Sequence, residues 1–203
     1  MGVTLPRSNG RVCHSHQLCL HAADDPRRGE LEQFVQRAFA ERHQARVCSF
    51  MPTLLGMRND RGGICAVAGF RSAAEEPLFL ERYLDEPIDR AIAMATGQAI
   101  SRSQIVEVGN LAGNNCRSAM RLVLTLPRTL LDRGQRWIVF TATDTVRQLL
   151  ANYHAPLIDL APAHASRVRG LADDWGRYYE TNPRIMVGYL PDGLTLRRRS
   201  TEP

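Results

Sequence analysis

Lysine is missing: all 26 basic residues of this 203-residue chain are arginine. That excludes a Schiff base or any other lysine nucleophile on this chain. Long apolar runs are missing too. No stretch approaches the roughly 18–20 continuous apolar residues of a membrane span, and Met1–Gly10 lacks the apolar core of a secretory signal. Cysteine is sparse and odd in number, with Cys13, Cys19, Cys48, Cys65 and Cys116 scattered along the chain. They read as free thiols of a reducing compartment, and the expected location is cytoplasmic. The arginines come without the aromatic-basic pattern of an RNA-binding module and without zinc-finger spacing, so nucleic acid is disfavoured as a partner.

What remains is an ordinary globular composition, 44% apolar and 23% charged, long enough to bury a core of its own. The predicted organisation is a flexible stretch over 1–10, a single domain over 11–192 and a flexible arginine-rich tail over 193–203. The formal charge is +5. Arg197–Arg199 and the group Arg27, Arg28, Arg37, Arg42 and Arg46 form basic patches that suit an anionic partner or a solvated surface.

Val12–His21 reads as a first strand. Asp25-Pro26 has the chemistry of a helix start, and Leu31, Phe34, Val35, Ala38 and Phe39 follow at helical spacing. Thr53–Arg58 and Ile64–Arg71, separated by Asn59-Asp60-Arg61-Gly62-Gly63, form a hairpin pattern. Pro77–Leu84 and Pro87–Thr96 read as helical pieces. Ile105–Ala112 is a strand, followed by a helix over about Arg117–Arg133 that Pro127 should kink and Gly134 should cap. Trp137–Ala142, Leu157–Ala161 and Arg184–Leu190 are strands, with helices over Asp144–Tyr153 and Ser166–Tyr179. Strands alternating with helices after residue 100 indicate βαβ units, and the earlier hairpin is antiparallel. The expected fold class is therefore α/β, a central mixed sheet flanked by helices.

Several residues carry chemistry by type and place. Glu107 interrupts an apolar strand; it is either an ion-paired strand carboxylate or a general base. Arg71, ending the preceding strand, pairs with Glu107, grips a substrate carboxylate or is a plain surface arginine. Beyond the strand, Gly113–Ser118 leads into a helix whose first amides suit a phosphate, with Arg117 as a fixed cation. Cys116 lies where a thiolate is stabilised, although a small loop residue is its simpler reading. Cys13-His14-Ser15-His16 with Cys19 and His21 gathers metal-ligand types, but alternate strand residues face apart and the spacing fits no zinc pattern. No metal is expected. His43, His154 and His164 show no pairing and read as structural.

The segments Leu78–Asp85, Ile105–Ala112, Trp137–Thr143 and Trp175–Tyr179, followed by Asn182-Pro183, resemble the thermostable hemolysin family, in the family's order over roughly 34–190. The resemblance implies a GNAT-type acyltransferase fold, shared with acyl-homoserine-lactone synthases. It implies a donor site over Asn110, Leu111, Ala112, Gly113, Asn114, Asn115, Arg117, Ser118 and Ala119. Aligned from Asn114 with the usual GNAT loop, Arg117 stands where glycine is expected and Ala119 matches. Acyl-CoA and an acyl carrier protein, both presenting a phosphopantetheine thioester, are equal donor candidates. Glu107 matches a strand glutamate of the lactone synthases, and Asn110 replaces their arginine three residues on. Arg71, Phe79 and Thr141 are expected to touch substrate. Of Tyr153, Tyr178 and Tyr179, the last two are put forward as the acid for the departing thiol. The implied activity moves an acyl group to a small amine or hydroxyl. The alternatives are a non-catalytic thioester-binding module and a membrane-active protein of the kind the family's name describes.

Overall fold

The structure, a computed structural model, describes residues 17–168, 170 and 172–196. The Cys13–His16 part of the N-terminal cluster, the opening of the first predicted strand and Arg197–Arg199 lie outside the described residues.

Seven strands form one sheet: β1 (Gln17–His21), β2 (Thr53–Arg58), β3 (Ile64–Ser72), β4 (Ile105–Gly113), β5 (Trp137–Ala142), β6 (Leu157–Pro162) and β7 (Arg184–Tyr189). Their order is β1-β2-β3-β4-β5-β7-β6. The β2–β3 hairpin turns because Asn59 Oδ1 accepts from the amides of Arg61 and Gly63, both at 3.0 Å, while Gly62 takes a φ of +78°, open to glycine at no steric cost. The predicted βαβ repetition occurs once. β4 and β5 are parallel, whereas β7 inserts antiparallel between β5 and β6.

Helices α1 (Arg28–His43), α2 (Ile88–Thr96), α3 (Cys116–Val123), α4 (Leu126–Leu131), α5 (Asp144–Ala151) and the short α6 (Leu190–Gly193) flank the sheet. One core packs Leu80, Ile88 and Ile92 against Ile105, Val139 and Ile185. Another packs Leu122, Leu126 and Leu130 against Leu55, Phe70 and Val106. Each of these leucines contributes about 1.5–3 kcal/mol by leaving water.

Three expectations need correction. Asp25 does not cap α1; its Oδ1 accepts from the Arg27 amide at 2.8 Å, making a tight turn at Pro26, and the helix begins at Arg28. The helix predicted over 117–133 is two helices. Pro127 lies in the first turn of α4, where a missing N–H costs nothing. The helix predicted over 166–179 is instead three 3-10 turns, Ala165–Val168, Ala172–Trp175 and Tyr178–Thr181. Gly170 and Gly176, at φ of +83° and +50°, interrupt any helical path.

The sheet opens at its centre. β4 and β5 pair only from Ile105 opposite Trp137 to Val108 opposite Phe140. Beyond that point β4 continues beside β3, and β5 beside β7. A bulge marks the divergence. Val67 faces Ala112 and Gly69 faces Gly109, so Asn110 and Leu111 together oppose Ala68, with Asn110 at a φ of +50°.

Candidate active site

The split holds a cavity of about 540 Å³, within the range of small-molecule sites. Its inner wall is apolar, made by Val108, Leu111, Val123, Leu126, Ile138 and Phe140.

Glu107 borders the cavity from the paired part of β4 and is only 4% exposed. Its Oε2 accepts from the Phe79 amide at 3.0 Å and its Oε1 from the Leu80 amide at 3.1 Å. Those amides open the 3-10 turn Phe79–Tyr83, where the helical ladder supplies no acceptor. Burial pushes the carboxyl above its ordinary range, opposed by these two amides and by Arg71. Arg71 Nε stands 3.9 Å from Glu107 Oε2. The same guanidinium meets Glu76 at 3.0 Å and Met51 Sδ at 3.3 Å. Arg71 thus joins the carboxylate to two other elements.

The segment Ser49–Met51 closes one side of the cavity. Asn110 Oδ1 accepts from the Met51 amide at 2.8 Å, and its Nδ2 donates to the Ser49 carbonyl at 3.4 Å. From behind, the buried Arg28 donates to the carbonyls of Met51 at 2.6 Å and Pro52 at 2.8 Å. Asn110, expected to touch the donor, lines the cavity while its side chain holds this segment.

The outer end is aromatic. His43 and Tyr178 meet edge to face with centroids 5.4 Å apart. Trp175 lies 5.4 Å from Tyr178, 6.2 Å from Phe39 and 6.1 Å from Phe79. Burial holds His43 below the usual histidine range, with Arg42 adding to the effect, and it raises Tyr178, with Tyr179 adding to the effect. Tyr179 does not reach the cavity. Its hydroxyl is 2.7 Å from that of Tyr83, and Tyr83 is the one of the two that borders the space. Tyr153 is not among the lining residues either.

At the start of α3, Asn115 Oδ1 accepts from the Ser118 amide at 2.9 Å as the helix cap, and Asn114 Nδ2 donates to the Ile64 carbonyl at 3.2 Å. Gly113 is pressed against this helix; a Cβ there would lie 2.9 Å from the Ala119 nitrogen. Gly113, Cys116 and Ala119 border the cavity, as do Arg71, Phe79 and Thr141, whereas Ala112, Asn114, Asn115, Arg117 and Ser118 do not. Arg117 is exposed outside it. Among the described residues no group of three or more His, Cys, Asp or Glu side chains could hold a metal ion. His21 of the N-terminal cluster pairs with Asp25 through Nδ1 at 2.8 Å.

Reading the sequence missed Phe39, His43 and Met51, which the fold brings to the cavity from α1 and the loop after it. No local pattern marks them, because their roles arise from contacts with Trp175, Tyr178 and Arg71, far away in the chain. His43, read as structural, is on the cavity wall.

Residues 21–194 match the family model described as thermostable hemolysin. No curated protein sequence matches the chain. Among solved structures, the chain is similar to FeeM, an N-acyl amino acid synthase from uncultured soil microbes, at 11% identity and a TM-score of 0.63 over 91% of this chain and 95% of that one. It is similar to the AHL synthase LasI at 14% identity and a TM-score of 0.58, over 87% and 91%. A Lactobacillus plantarum protein assigned as an N-acetyltransferase aligns at 10% identity and a TM-score of 0.55, over 87% and 99%. These likenesses establish the fold as GNAT-like, a seven-stranded mixed sheet flanked by helices.

Proposed function

The chain belongs to the thermostable hemolysin family, and from that premise and the geometry of the split sheet we propose that it is an acyltransferase. It takes an acyl group from a pantetheine thioester, carried by CoA or by an acyl carrier protein, and passes it to a small amine or hydroxyl. One observation carries the reading: the central sheet divides above a buried carboxylate, and the division opens into a cavity with an apolar inner wall.

That arrangement suits a thioester. Past Val108 the β4 edge no longer pairs with β5, leaving backbone groups for the amides of a pantetheine arm. The first turn of α3, with Arg117 beside it, suits the arm's phosphate. The apolar wall takes the acyl chain. The similarity to an N-acyl amino acid synthase and an AHL synthase accords with an acyl donor and a small acceptor.

In the reaction the acceptor attacks the thioester carbonyl and the carbon–sulfur bond breaks. Glu107 takes a proton from the attacking group; a carboxyl raised by burial is a stronger base than an ordinary one. Each of its oxygens accepts one amide and keeps a second lone pair for this purpose. Tyr178 supplies a proton to the departing thiolate and regains one from Glu107.

Pure protein should release thiol from acyl-CoA or acyl-carrier thioesters in the presence of pooled amines and amino acids, with a new acylated product by mass spectrometry. Glu107→Gln should lower turnover at least about 100-fold while leaving thioester binding measurable by thermal shift. Retained turnover would remove Glu107 from the mechanism, and no response to any thioester would remove the pantetheine donor.

A further inference from the structure

An amine at neutral pH arrives as an ammonium and must lose two protons to become an amide, one before attack and one after it. Glu107 accounts for one of them. The cavity contains a second group fit for the other, and the mechanism above leaves it unused.

Most titratable side chains around the cavity are committed. Glu107 accepts two amides, Arg71 bridges Glu76, Met51 and Glu107, and the Tyr83 hydroxyl meets Tyr179. His43 differs. It borders the cavity from the last position of α1, and neither ring nitrogen has a protein hydrogen-bond partner among the described residues. Its ring packs 5.7 Å from Phe39 and 5.4 Å from Tyr178. The backbone fixes its place as well, because the Arg177 amide donates to the His43 carbonyl at 2.7 Å. A half-buried imidazole fixed in position, whose nitrogens have no hydrogen-bond partner among the described residues, is poised to exchange a proton with a ligand.

The surrounding charges agree with that role. Arg42 precedes His43 on α1 and also borders the cavity; Arg46 is paired with Asp174, and Arg177 with Glu180. Tyr178 faces the ring directly, and Arg71, Tyr83 and Glu107 stand elsewhere on the cavity wall. Arg42, which has no ion-pair partner among the described residues, disfavours a bound ammonium, and the aromatic surfaces of Phe39 and Trp175 strip water from it. Both effects ease the first deprotonation.

We propose that His43 is a second catalytic base, which takes the first proton from a primary-amine acceptor at the aromatic end of the cavity. This rests on the acyl-transfer reading and commits the acceptor to an amine. The steps balance. His43 removes one proton from the ammonium and passes it to solvent, and the neutral amine attacks the carbonyl. The nitrogen's next proton goes to Glu107, and the thiolate leaves with the proton of Tyr178, which Glu107 then replaces. Burial lowers the affinity of His43 for protons, so the imidazole stays neutral and ready at pH 7.

The test uses the full chain, decanoyl-CoA as donor, and hexylamine or hexanol as probe acceptor. Turnover with hexylamine should rise with pH along a limb set by His43, below the usual histidine range. His43→Gln and His43→Phe, the latter keeping the contacts to Phe39 and Tyr178, should both lose that limb. Both should fall about 100-fold at pH 7, with thioester binding by thermal shift unchanged. Hexylamine, and not hexanol, should also move the His43 imidazole resonances in NMR spectra of histidine-labelled protein without donor. Either variant keeping the wild-type profile, or resonances that ignore hexylamine, would overturn the role of His43. Absent thioester binding would count against the acyl-transfer reading instead, and the NMR titration would still decide whether the amine meets His43.

Discussion

The two sides of the cavity are built by different means. One side is sheet and helix: β4, β5 and α3, whose positions follow from strand pairing and from apolar faces repeated along the sequence. The other is a short run of 3-10 turns, residues 172–181, laid across the end of α1. It is fixed by the Arg46 amide donating to the Asp174 carbonyl at 2.6 Å, the Arg177 amide donating to the His43 carbonyl at 2.7 Å, and the tilted ring contact of Trp175 and Tyr178. The first wall is set by repeated strand pairing and apolar packing; the second is set by individual backbone hydrogen bonds, ring contacts and ion pairs. Damage to the second should therefore cost more per atom changed.

The largest effect is expected at Gly176. A Cβ there would lie 2.4 Å from the His43 carbonyl oxygen and 2.5 Å from that of Gln44, both backbone atoms that cannot swing aside, and its φ is +50°. Gly176→Ala should cost about 3 kcal/mol in urea unfolding. A loss under about 1 kcal/mol would mean that this wall yields as easily as the sheet. Asn110→Ala should come next, at about 2 kcal/mol. It loses the hydrogen bond from the Met51 amide and places alanine at a left-handed φ. Amide exchange at Ser49–Met51 should quicken with it, and unchanged exchange would show that Arg28 alone holds that segment. Tyr179→Phe removes one hydroxyl from the Tyr83 pair and should cost about 1 kcal/mol by the same unfolding measurement. Gly109→Ala is the smallest. Its new Cβ would meet Met51 Cε at 2.6 Å, the free end of a flexible side chain, so the loss should stay under about 1 kcal/mol. A loss as large as that of Gly176→Ala would erase the contrast between the walls.

The same contrast governs what could be read from sequence. β2 and β5 begin and end where alternating or continuous apolar residues place them, and β3 and β4 run one residue past their predicted ends. The segment after Ala165 was misread because Val168, Trp175 and Tyr179 offer apolar residues at tolerable helical spacing. What decides its form is the contact of Gly176 with the backbone of α1, and no local window contains it. Pro127 was legible as an interruption but not as the start of a second helix. Around the cavity, Glu107, Arg71 and Phe79 stand out by type and setting. His43 could not, since an isolated histidine at the end of an amphipathic helix carries no signal until Trp175 and Tyr178 are brought beside it.

The join at the centre of the sheet has a mechanical consequence. Four residue pairs, Ile105–Val108 with Trp137–Phe140, make up the strand pairing between β4 and β5. The sheet is thus a pair of blades whose strands pair over a short seam, and the angle between them should respond to what lies in the opening. A molecule wedged between the blades acts as a strut, and longer or shorter struts set different angles. Occupancy should then register as slower amide exchange at the seam itself, where no ligand atom need touch.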